Sequence, residues 1–353
     1  MTVKTSPLVS VLMPVFNAER YVAEAIESIL RQSFQDFEFI IIDDGSTDGT
    51  LDILKRYAAR DSRIRLVSRE NRGLVATLNE GIGLARGQWI ARMDADDVAL
   101  PQRLALQVKH LEATHADFCG GSVECFGGWR TVWRYPATHE ACEVHLLFAV
   151  PVAHPTVIGR REAFAQLRYQ PEFPYAEDYD LWQRAWAAGY RFVNVPEIVL
   201  RYRIHAGQVS SRKKKEQKET SKAVRIRHWQ ALLPDLGEEE VANLVQVMDC
   251  EQGKTDLFVP VFERLLAHYS GEAREILLSD IYWIFRRLAG GDRSSAWNWV
   301  RLTSSCRYES SALRSWMRAS VIAGISVLHL RSGSQGYHAL RRLRNRLTSF
   351  TRF

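Results

Sequence analysis

The first 120 residues alternate short apolar runs with segments of helical period, and this alternation most constrains the fold. The intervening segments place apolar residues three and four positions apart, the spacing of one helix face. Pro14 is expected to end the first strand, and Asn17 to cap the helix that follows. Short connections between such elements favour a parallel, doubly wound α/β sheet. The predicted strands are residues 8–13, 37–42, 64–67 and 88–93.

The period is less regular between residues 120 and 205. The glycine pairs at 120–121 and 127–128 are expected to bracket a hairpin. Residues 179–188 have helical spacing, and residues 193–202 are extended around Pro196.

Composition describes an ordinary globular protein of one or two domains. The chain has 353 residues, of which 46% are hydrophobic and 25% are charged. These values exclude a wholly disordered or collagen-like chain. The formal net charge of +6 is too small to require a polyanionic partner.

Cysteine usage and the apolar stretches predict a cytoplasmic protein. The five cysteines are an odd number without a CxxC pair, which disfavours a disulfide scaffold and favours a reducing compartment. The first residues lack the shape of a signal peptide, because Pro14 interrupts a short apolar run. The apolar stretch at 321–330 is too short to span a bilayer.

The composition shifts after residue 210. Residues 212–227 hold eight Lys or Arg and two Glu, and residues 310–353 hold eight Arg without an acidic residue. We expect a catalytic domain over 1–210, a basic linker or helix start over 211–228, and a helical domain over 229–353.

The basic stretches suit an anionic membrane surface, which would place the protein peripherally on the inner face of the plasma membrane. The alternative is a helical bundle with a solvated basic face. No nucleic-acid-binding motif accompanies the charge, so we expect no nucleic-acid partner.

Acidic clusters follow two of the predicted strands. Asp43-Asp44 ends one strand and Asp94-Ala95-Asp96 ends another. Ligands of open parallel sheets bind outside the carboxyl ends of the strands. Two such clusters would repel each other unless a cation lay between them, and carboxylate oxygens suit Mg²⁺ or Mn²⁺. The alternative is that these aspartates are turn residues and helix caps.

Five segments in order resemble the family 2 glycosyltransferases of GT-A fold, and the resemblance covers roughly residues 7–210. It implies a Rossmann-like, mostly parallel doubly wound sheet, here followed by a helical C-terminal region. The segments are VLMPVFN (11–17), IDDGSTD (42–48), ENRG (70–73), ARMDADD (91–97) and EDYDLW (177–182).

The resemblance implies a nucleotide site at the first strand ends. One carboxylate of the Asp43-Asp44 pair would accept from a uracil N–H, which implies a UDP-linked donor. Asp94 would point to the ribose, and Arg92 would help to neutralise phosphate. The implied nucleotide-binding residues are Pro14, Phe16, Asn17, Glu19, Asp43, Asp44, Arg92 and Asp94.

The resemblance also implies a metal site and a general base. Asp96 would hold Mn²⁺ or Mg²⁺ on the diphosphate, with His205 as a further metal or diphosphate contact. Asp178 matches the base that takes the acceptor proton in an inverting transfer, and Glu177 and His154 would lie on the acceptor side. The alternatives are a helix N-terminus that favours acids at 177–178 and structural roles for the histidines.

The sequence therefore predicts an inverting, metal-dependent transfer of one hexose or N-acetylhexosamine to a saccharide acceptor, lipid-linked or on a surface polysaccharide. Residues 183–186 lack the Gln-x-x-Arg-Trp motif of processive relatives, which favours single addition. A nucleotidyltransferase would carry a glycine-rich loop at 14–20, where no glycine occurs. A non-catalytic nucleotide-sugar-binding scaffold would have lost one of the aspartates, and all are present.

Overall fold

The computed structural model describes residues 6–128, 130–205, 213–249, 253–292, 294–304 and 312–327. The chain divides into two compact units, residues 1–228 and residues 229–353. Separate roles for these parts of the chain remain a prediction.

The first unit is built on a nine-stranded sheet. The strand order is β3-β2-β1-β4-β8-β6-β9-β5, with β7 paired to β6. The strands are β1 (Val9–Val15), β2 (Phe37–Asp43), β3 (Ile64–Ser68), β4 (Trp89–Arg92), β5 (Val98–Ala99), β6 (Phe118–Phe126), β7 (Thr131–Trp133), β8 (Ile158–Arg160) and β9 (Phe192–Arg203).

The first four strands are parallel, as the alternating pattern predicts. Val11 of β1 lies opposite Phe39 of β2 on one side and Ala91 of β4 on the other. The second half of the sheet is mixed, because β8 runs antiparallel to both β4 and β6 while β9 runs parallel to β6. The carboxyl ends of β1, β2 and β4 therefore meet at one edge.

Helices cover both faces of this sheet. Successive β1 residues alternate between two apolar clusters: Val11 and Met13 pack with α1, and Leu12 packs on the opposite face with α3. The helices are α1 (Val22–Leu30), α2 (Thr50–Ala58), α3 (Leu74–Leu84), α4 (Arg103–Thr114), α5 (His139–His145), α6 (Arg161–Leu167) and α7 (Glu177–Ala187). A 3-10 helix spans His154–Thr156, and α8 (Lys214–Leu232) crosses the boundary between the units.

Two local predictions near the first strand are wrong. β1 continues through Pro14 to Val15, which is tolerated because its pairing with β4 ends at Leu12. Asn17 does not cap α1, which begins at Val22 after Tyr21. Asn17 instead adopts a φ of 49°, and its Oδ1 accepts a hydrogen bond from the Thr47 N–H at 2.8 Å.

The predicted hairpin exists, but only the second glycine pair lies at its turn. Gly127 and Gly128 directly follow β6 in its connection to β7, whereas Gly120 and Gly121 lie inside β6. A Cβ added at Gly121 would lie 2.6 Å from Cγ2 of Val199. Glycine is therefore required there by the close approach of β9, not by a turn.

The second unit is helical in its described residues. Its core contains the buried rings of Phe258, Phe262, Phe285 and Trp299. No helix within the described ranges is long and apolar enough to cross a bilayer. Residues 328–353 of the predicted basic tail lie outside the described residues. The elements are α9 (Glu238–Asp249), a 3-10 helix (Thr255–Leu257), α10 (Val259–His268), α11 (Gly271–Leu288), α12 (Ser295–Ser304) and α13 (Ala312–Val327).

Candidate active site

A cavity of about 770 Å³ lies at the carboxyl ends of β1, β2 and β4. It is also lined by residues from 71–77 and 171–175, by the first residues of α7 and α8, and by His205 after β9. Ten of the thirteen residues predicted for the site line this cavity. They are Pro14, Phe16, Asn17, Asp44, Arg92, Asp94, Asp96, Glu177, Asp178 and His205.

Asp44 fastens the loop that follows β3 to the cavity wall. Its carboxylate accepts hydrogen bonds from the backbone N–H groups of Arg72 at 2.8 Å and Gly73 at 3.0 Å, and it pairs with Arg69. Gly73 has a φ of 83°, a conformation that glycine adopts without strain. Asp44 thus shapes the wall of the cavity as well as facing it.

The structure does not bring Asp43, Glu19 and His154 into the cavity lining. Asp43 accepts from Ser46 N–H and Ser68 O–H, and Glu19 accepts from Gly49 N–H at 2.9 Å. Nε2 of His154 lies 2.8 Å from the Tyr169 hydroxyl, and burial holds the pKa of this histidine well below its ordinary value. Their contacts with nucleotide or acceptor remain predictions.

Three aspartates at the end of β4 form a tight acidic cluster. Oxygen atoms of Asp94, Asp96 and Asp97 lie within 4.8 Å of one another. Asp97 is buried: Oδ1 accepts from Arg203 N–H at 2.9 Å, and Oδ2 has no hydrogen-bond partner in the described part of the chain. Burial, and then the charges of its two neighbours, raise the pKa of Asp97 well above its ordinary value.

These residues fit a divalent cation. Carboxylate oxygens are ligands that Mg²⁺ and Mn²⁺ prefer. Oδ2 of Asp97 accepts no hydrogen bond from the described part of the chain and could therefore serve as such a ligand. Nε2 of His205 lies 2.9 Å from Oδ2 of Asp96, so the end of β9 brings a further ligand type to the cluster. The sequence did not single out Asp97, although it is the third acid of the ARMDADD segment.

Two buried arginines compensate the acidic cluster. Both terminal nitrogens of Arg92 contact Asp94 at 2.5 Å, so Arg92 positions this carboxylate. Arg103 donates to the Arg92 carbonyl at 2.6 Å, and burial lowers the pKa of Arg103 to about 9. The sequence indicated Arg92 through the resemblance but gave no signal for Arg103, which reads as an ordinary helical residue.

Glu177 and Asp178 begin α7 and face the cavity. Burial, followed by the charge of Asp178, raises the pKa of Glu177 to about 7, and burial also raises the pKa of Asp178. Oδ1 of Asp178 accepts from Tyr179 N–H at 2.7 Å. Such a desolvated carboxylate pair can accept a proton from a bound hydroxyl group.

The end of β9 contacts the acidic cluster through Arg203, which packs on the ring of Tyr21 before α1. The sequence had indicated neither residue. Arg203 Nε donates to the Asp96 carbonyl at 2.8 Å, and its guanidinium lies 4.8 Å from the centre of the Tyr21 ring. The His205 ring lies 4.9 Å from the same tyrosine ring. The Tyr21 ring therefore packs against both Arg203 and His205, and His205 in turn contacts Asp96.

The family model of Glycosyl transferase family 2 matches residues 10–168. An uncharacterized glycosyltransferase of Haemophilus influenzae is 35% identical over 260 residues, which cover 69% of this chain and 80% of that protein. The O-antigen biosynthesis glycosyltransferase WbnJ of Escherichia coli is 32% identical over 211 residues, which cover 58% of this chain and 83% of that protein. The chain belongs to glycosyltransferase family 2 and is a glycosyltransferase.

Solved structures confirm the predicted GT-A fold. S. aureus TarS 1–349 in complex with UDP-GlcNAc superposes with a TM-score of 0.55 at 16% identity, covering 92% of this chain and 93% of that one. The mannosyltransferase PcManGT from Pyrobaculum calidifontis, in complex with GDP-Man and Mn²⁺, gives 0.50 at 18% identity, covering 92% and 88%. At these identities the likeness concerns the fold alone.

Proposed function

We propose that this glycosyltransferase is inverting and metal-dependent, and that it moves one hexose or N-acetylhexosamine from a UDP-sugar to a saccharide acceptor. The observation that carries the proposal is that one cavity is lined by both the Asp94–Asp96 segment and Asp178. The first suits a nucleoside diphosphate, and the second suits the hydroxyl group that replaces it.

Asp178 acts as the general base. Its carboxylate takes the proton of the acceptor hydroxyl while that oxygen attacks the anomeric carbon and the bond to the diphosphate breaks. Because attack and departure occur on opposite faces of the sugar, the configuration inverts. Glu177 beside it is on the acceptor side, and its protonated form can donate a hydrogen bond to the acceptor.

Asp96, Asp97 and His205 are the residues that would hold Mn²⁺ or Mg²⁺. When bound, the cation supplies positive charge to the leaving diphosphate. Support comes from the carboxylate cluster, from the unpartnered oxygen of Asp97, and from the Mn²⁺ bound by the fold relative PcManGT. Arg92 serves the donor indirectly, because both its terminal nitrogens are committed to Asp94.

The donor is proposed to carry uridine. Phe16 lies in the cavity lining with half of its surface exposed, where its ring can contact the base or ribose. Asp44 faces the cavity at the position implied for recognition of the uracil N–H. The fold relatives bind different nucleotides, UDP-GlcNAc in TarS and GDP-Man in PcManGT, so the fold alone does not select one.

The acceptor is proposed to be a lipid-linked saccharide or a growing surface polysaccharide, as the O-antigen function in the name of WbnJ suggests. We propose that the enzyme acts in the cytoplasm at the inner face of the plasma membrane. The buried thiols of Cys119, Cys125 and Cys142 suit that reducing compartment.

The proposed function is tested by release of UDP from UDP-glucose and UDP-GlcNAc, with water in place of the acceptor. Asp178→Asn should slow release by about 10²-fold or more while donor binding persists. Asp96→Asn should lose the dependence on Mn²⁺. Full activity in both variants would overturn the assigned roles, and donor binding without any release of UDP in the wild type would favour a non-catalytic nucleotide-sugar-binding scaffold.

A further inference from the structure

The segment before α7 lines the cavity next to the proposed general base. Pro171, Pro174 and Tyr175 belong to the lining, and Glu177 and Asp178 follow two and three positions after the tyrosine. The residues proposed to bind the nucleotide follow β1, β2 and β4 instead. The three residues Pro171, Pro174 and Tyr175 are called the 171–175 patch.

The segment that carries the patch is fixed by contacts outside the cavity lining. The Asn79 side chain brackets the backbone of Tyr169, because Nδ2 donates to the carbonyl at 2.8 Å and Oδ1 accepts from the N–H at 2.9 Å. The Phe173 ring packs on the core, and the Arg227 guanidinium lies 5.1 Å from its centre. The two prolines fix φ at their own positions. The patch is therefore a preformed part of the cavity wall.

The backbone of Tyr175 has an unfavourable conformation. Its φ is 63°, which lies in the left-handed region where a bulky side chain is strained. Glycine adopts this conformation without strain. A half-buried tyrosine at such a position, with its side chain in the lining of the cavity, favours a role for the ring itself.

The polar groups beside the ring favour an uncharged ligand. Lys213 Nζ lies 5.7 Å from the centre of the Tyr175 ring, and it also lies 3.0 Å from Oε2 of Glu216, so the ammonium already has a carboxylate partner. Gln217, one helical turn after Lys213, also lines the cavity and offers an amide donor and an amide acceptor to hydroxyl groups. The two carboxylates that begin α7 would repel an acidic group.

We propose that the 171–175 patch and Gln217 form the acceptor subsite, and that this subsite takes an uncharged pyranose whose apolar face stacks on the ring of Tyr175. A pyranose presents C–H groups on its faces and hydroxyl groups around its edge. An aromatic ring with a few polar neighbours matches that arrangement. The inference rests on the proposed function, because the bound pyranose is the sugar whose hydroxyl group Asp178 deprotonates.

The probes are methyl β-D-glucopyranoside, methyl β-D-galactopyranoside and methyl β-D-glucuronide, each added to the full chain with UDP and Mg²⁺. Saturation-transfer difference NMR measures which sugar protons contact the protein. We expect a neutral glycoside to bind with the strongest saturation on the axial protons of one ring face, and the glucuronide to bind more weakly. Tyr175→Gly should lower the saturation about fivefold or more, although glycine suits this backbone, whereas Tyr175→Phe should retain it.

The matched control is Glu172→Gln, an exposed position in the same segment outside the cavity lining, which should bind the glycosides like the wild type. Absence of binding by both neutral glycosides, or equal binding by Tyr175→Gly and the wild type, would overturn the proposal. So would stronger binding of the glucuronide than of the neutral glycosides.

Release of UDP by the wild type without a glycoside tests the proposed function separately. Release combined with glycoside binding that does not depend on Tyr175 would contradict the acceptor subsite alone. Glycoside binding that depends on Tyr175, without any release, would contradict the proposed reaction alone.

Discussion

At the level of single residues, carboxylates whose charged form is disfavoured by burial lie in the cavity lining and directly behind it. The pKa values of Asp94, Asp97, Glu177 and Asp178 are all raised, with burial as the largest cause in each. The buried guanidinium of Arg92 opposes this shift for every one of them. Ionisation of these carboxylates places negative charge in a buried site, which is unfavourable. A bound cation, or positive charge that develops on the sugar donor, can offset this cost.

Glu177 gives a pH-dependent prediction for stability. Because its pKa rises from 4.5 to about 7, the folded state holds the proton more tightly than the unfolded chain. Its contribution to stability is therefore complete below pH 4.5 and is lost as the pH rises to 7. Glu177→Gln should gain stability relative to the wild type across this interval, by up to about 3 kcal/mol.

Urea unfolding of both proteins at a series of pH values, without ligand, measures this difference. Glu172→Gln, at an exposed position in the preceding loop, is the control and should follow the wild-type curve. A constant difference between Glu177→Gln and the wild type from pH 4.5 to 8 would contradict the raised pKa.

At the level of elements, α7 is held by one buried carboxylate. Asp180 is fully buried and accepts from Arg184 Nε at 2.8 Å and from Arg227 Nη2 at 2.5 Å. The Arg227 contact ties the helix that carries Glu177 and Asp178 to the second half of α8. The position of the proposed base thus depends on a residue that does not face the cavity.

Asp180→Asn should lower the free energy of unfolding by about 2–3 kcal/mol, because two partly buried arginines lose their counter-charge. Chemical denaturation measures the effect. The matched control is Asp235→Asn, which breaks the exposed pair of Asp235 with Arg264 and should change stability little. Equal effects of the two substitutions would show that Asp180 does not anchor α7.

The elements that sequence reasoning predicted are those with a clear period. The apolar spacing of Val22, Ala25, Ile26 and Ile29 matches the buried side of α1, and the four parallel strands follow from their apolar runs. The place of β8 between β4 and β6 could not be predicted, because Ile158–Arg160 is three residues long and its pairing is set by distant contacts.

The same limit applies to the candidate site. Motif order placed most cavity residues, because the first four segments follow strands whose ends lie at the same edge, whereas Glu177 and Asp178 begin a helix and were indicated by the resemblance. Arg103 and Arg203 escaped notice because their roles depend on contacts across the fold: one reaches the Arg92 carbonyl from α4, and the other reaches Asp96 from β9. Asp97 was visible in the sequence, but only its burial distinguishes it from a turn residue.

At the level of the whole molecule, the chain joins a GT-A unit to a helical unit. The family match ends at residue 168, whereas the cavity lining extends to Gln217 of α8. The part of the cavity formed by α7 and α8 therefore lies beyond the matched region. We expect differences among relatives in acceptor choice to arise there, and the donor side to vary less.

The most direct measurement is thermal unfolding of the purified protein with UDP, UDP-sugars, GDP and ADP, each with and without Mn²⁺. A ligand at about 100 times its dissociation constant adds roughly 2.7 kcal/mol to the folded state, or about 5–10 °C for a unit of this size. We expect a shift of that order that requires both a uridine nucleotide and Mn²⁺, and that Asp96→Asn abolishes. Stabilisation by no nucleotide, or a shift that neither Mn²⁺ nor Asp96→Asn alters, would contradict a metal-dependent nucleotide-sugar site in this cavity.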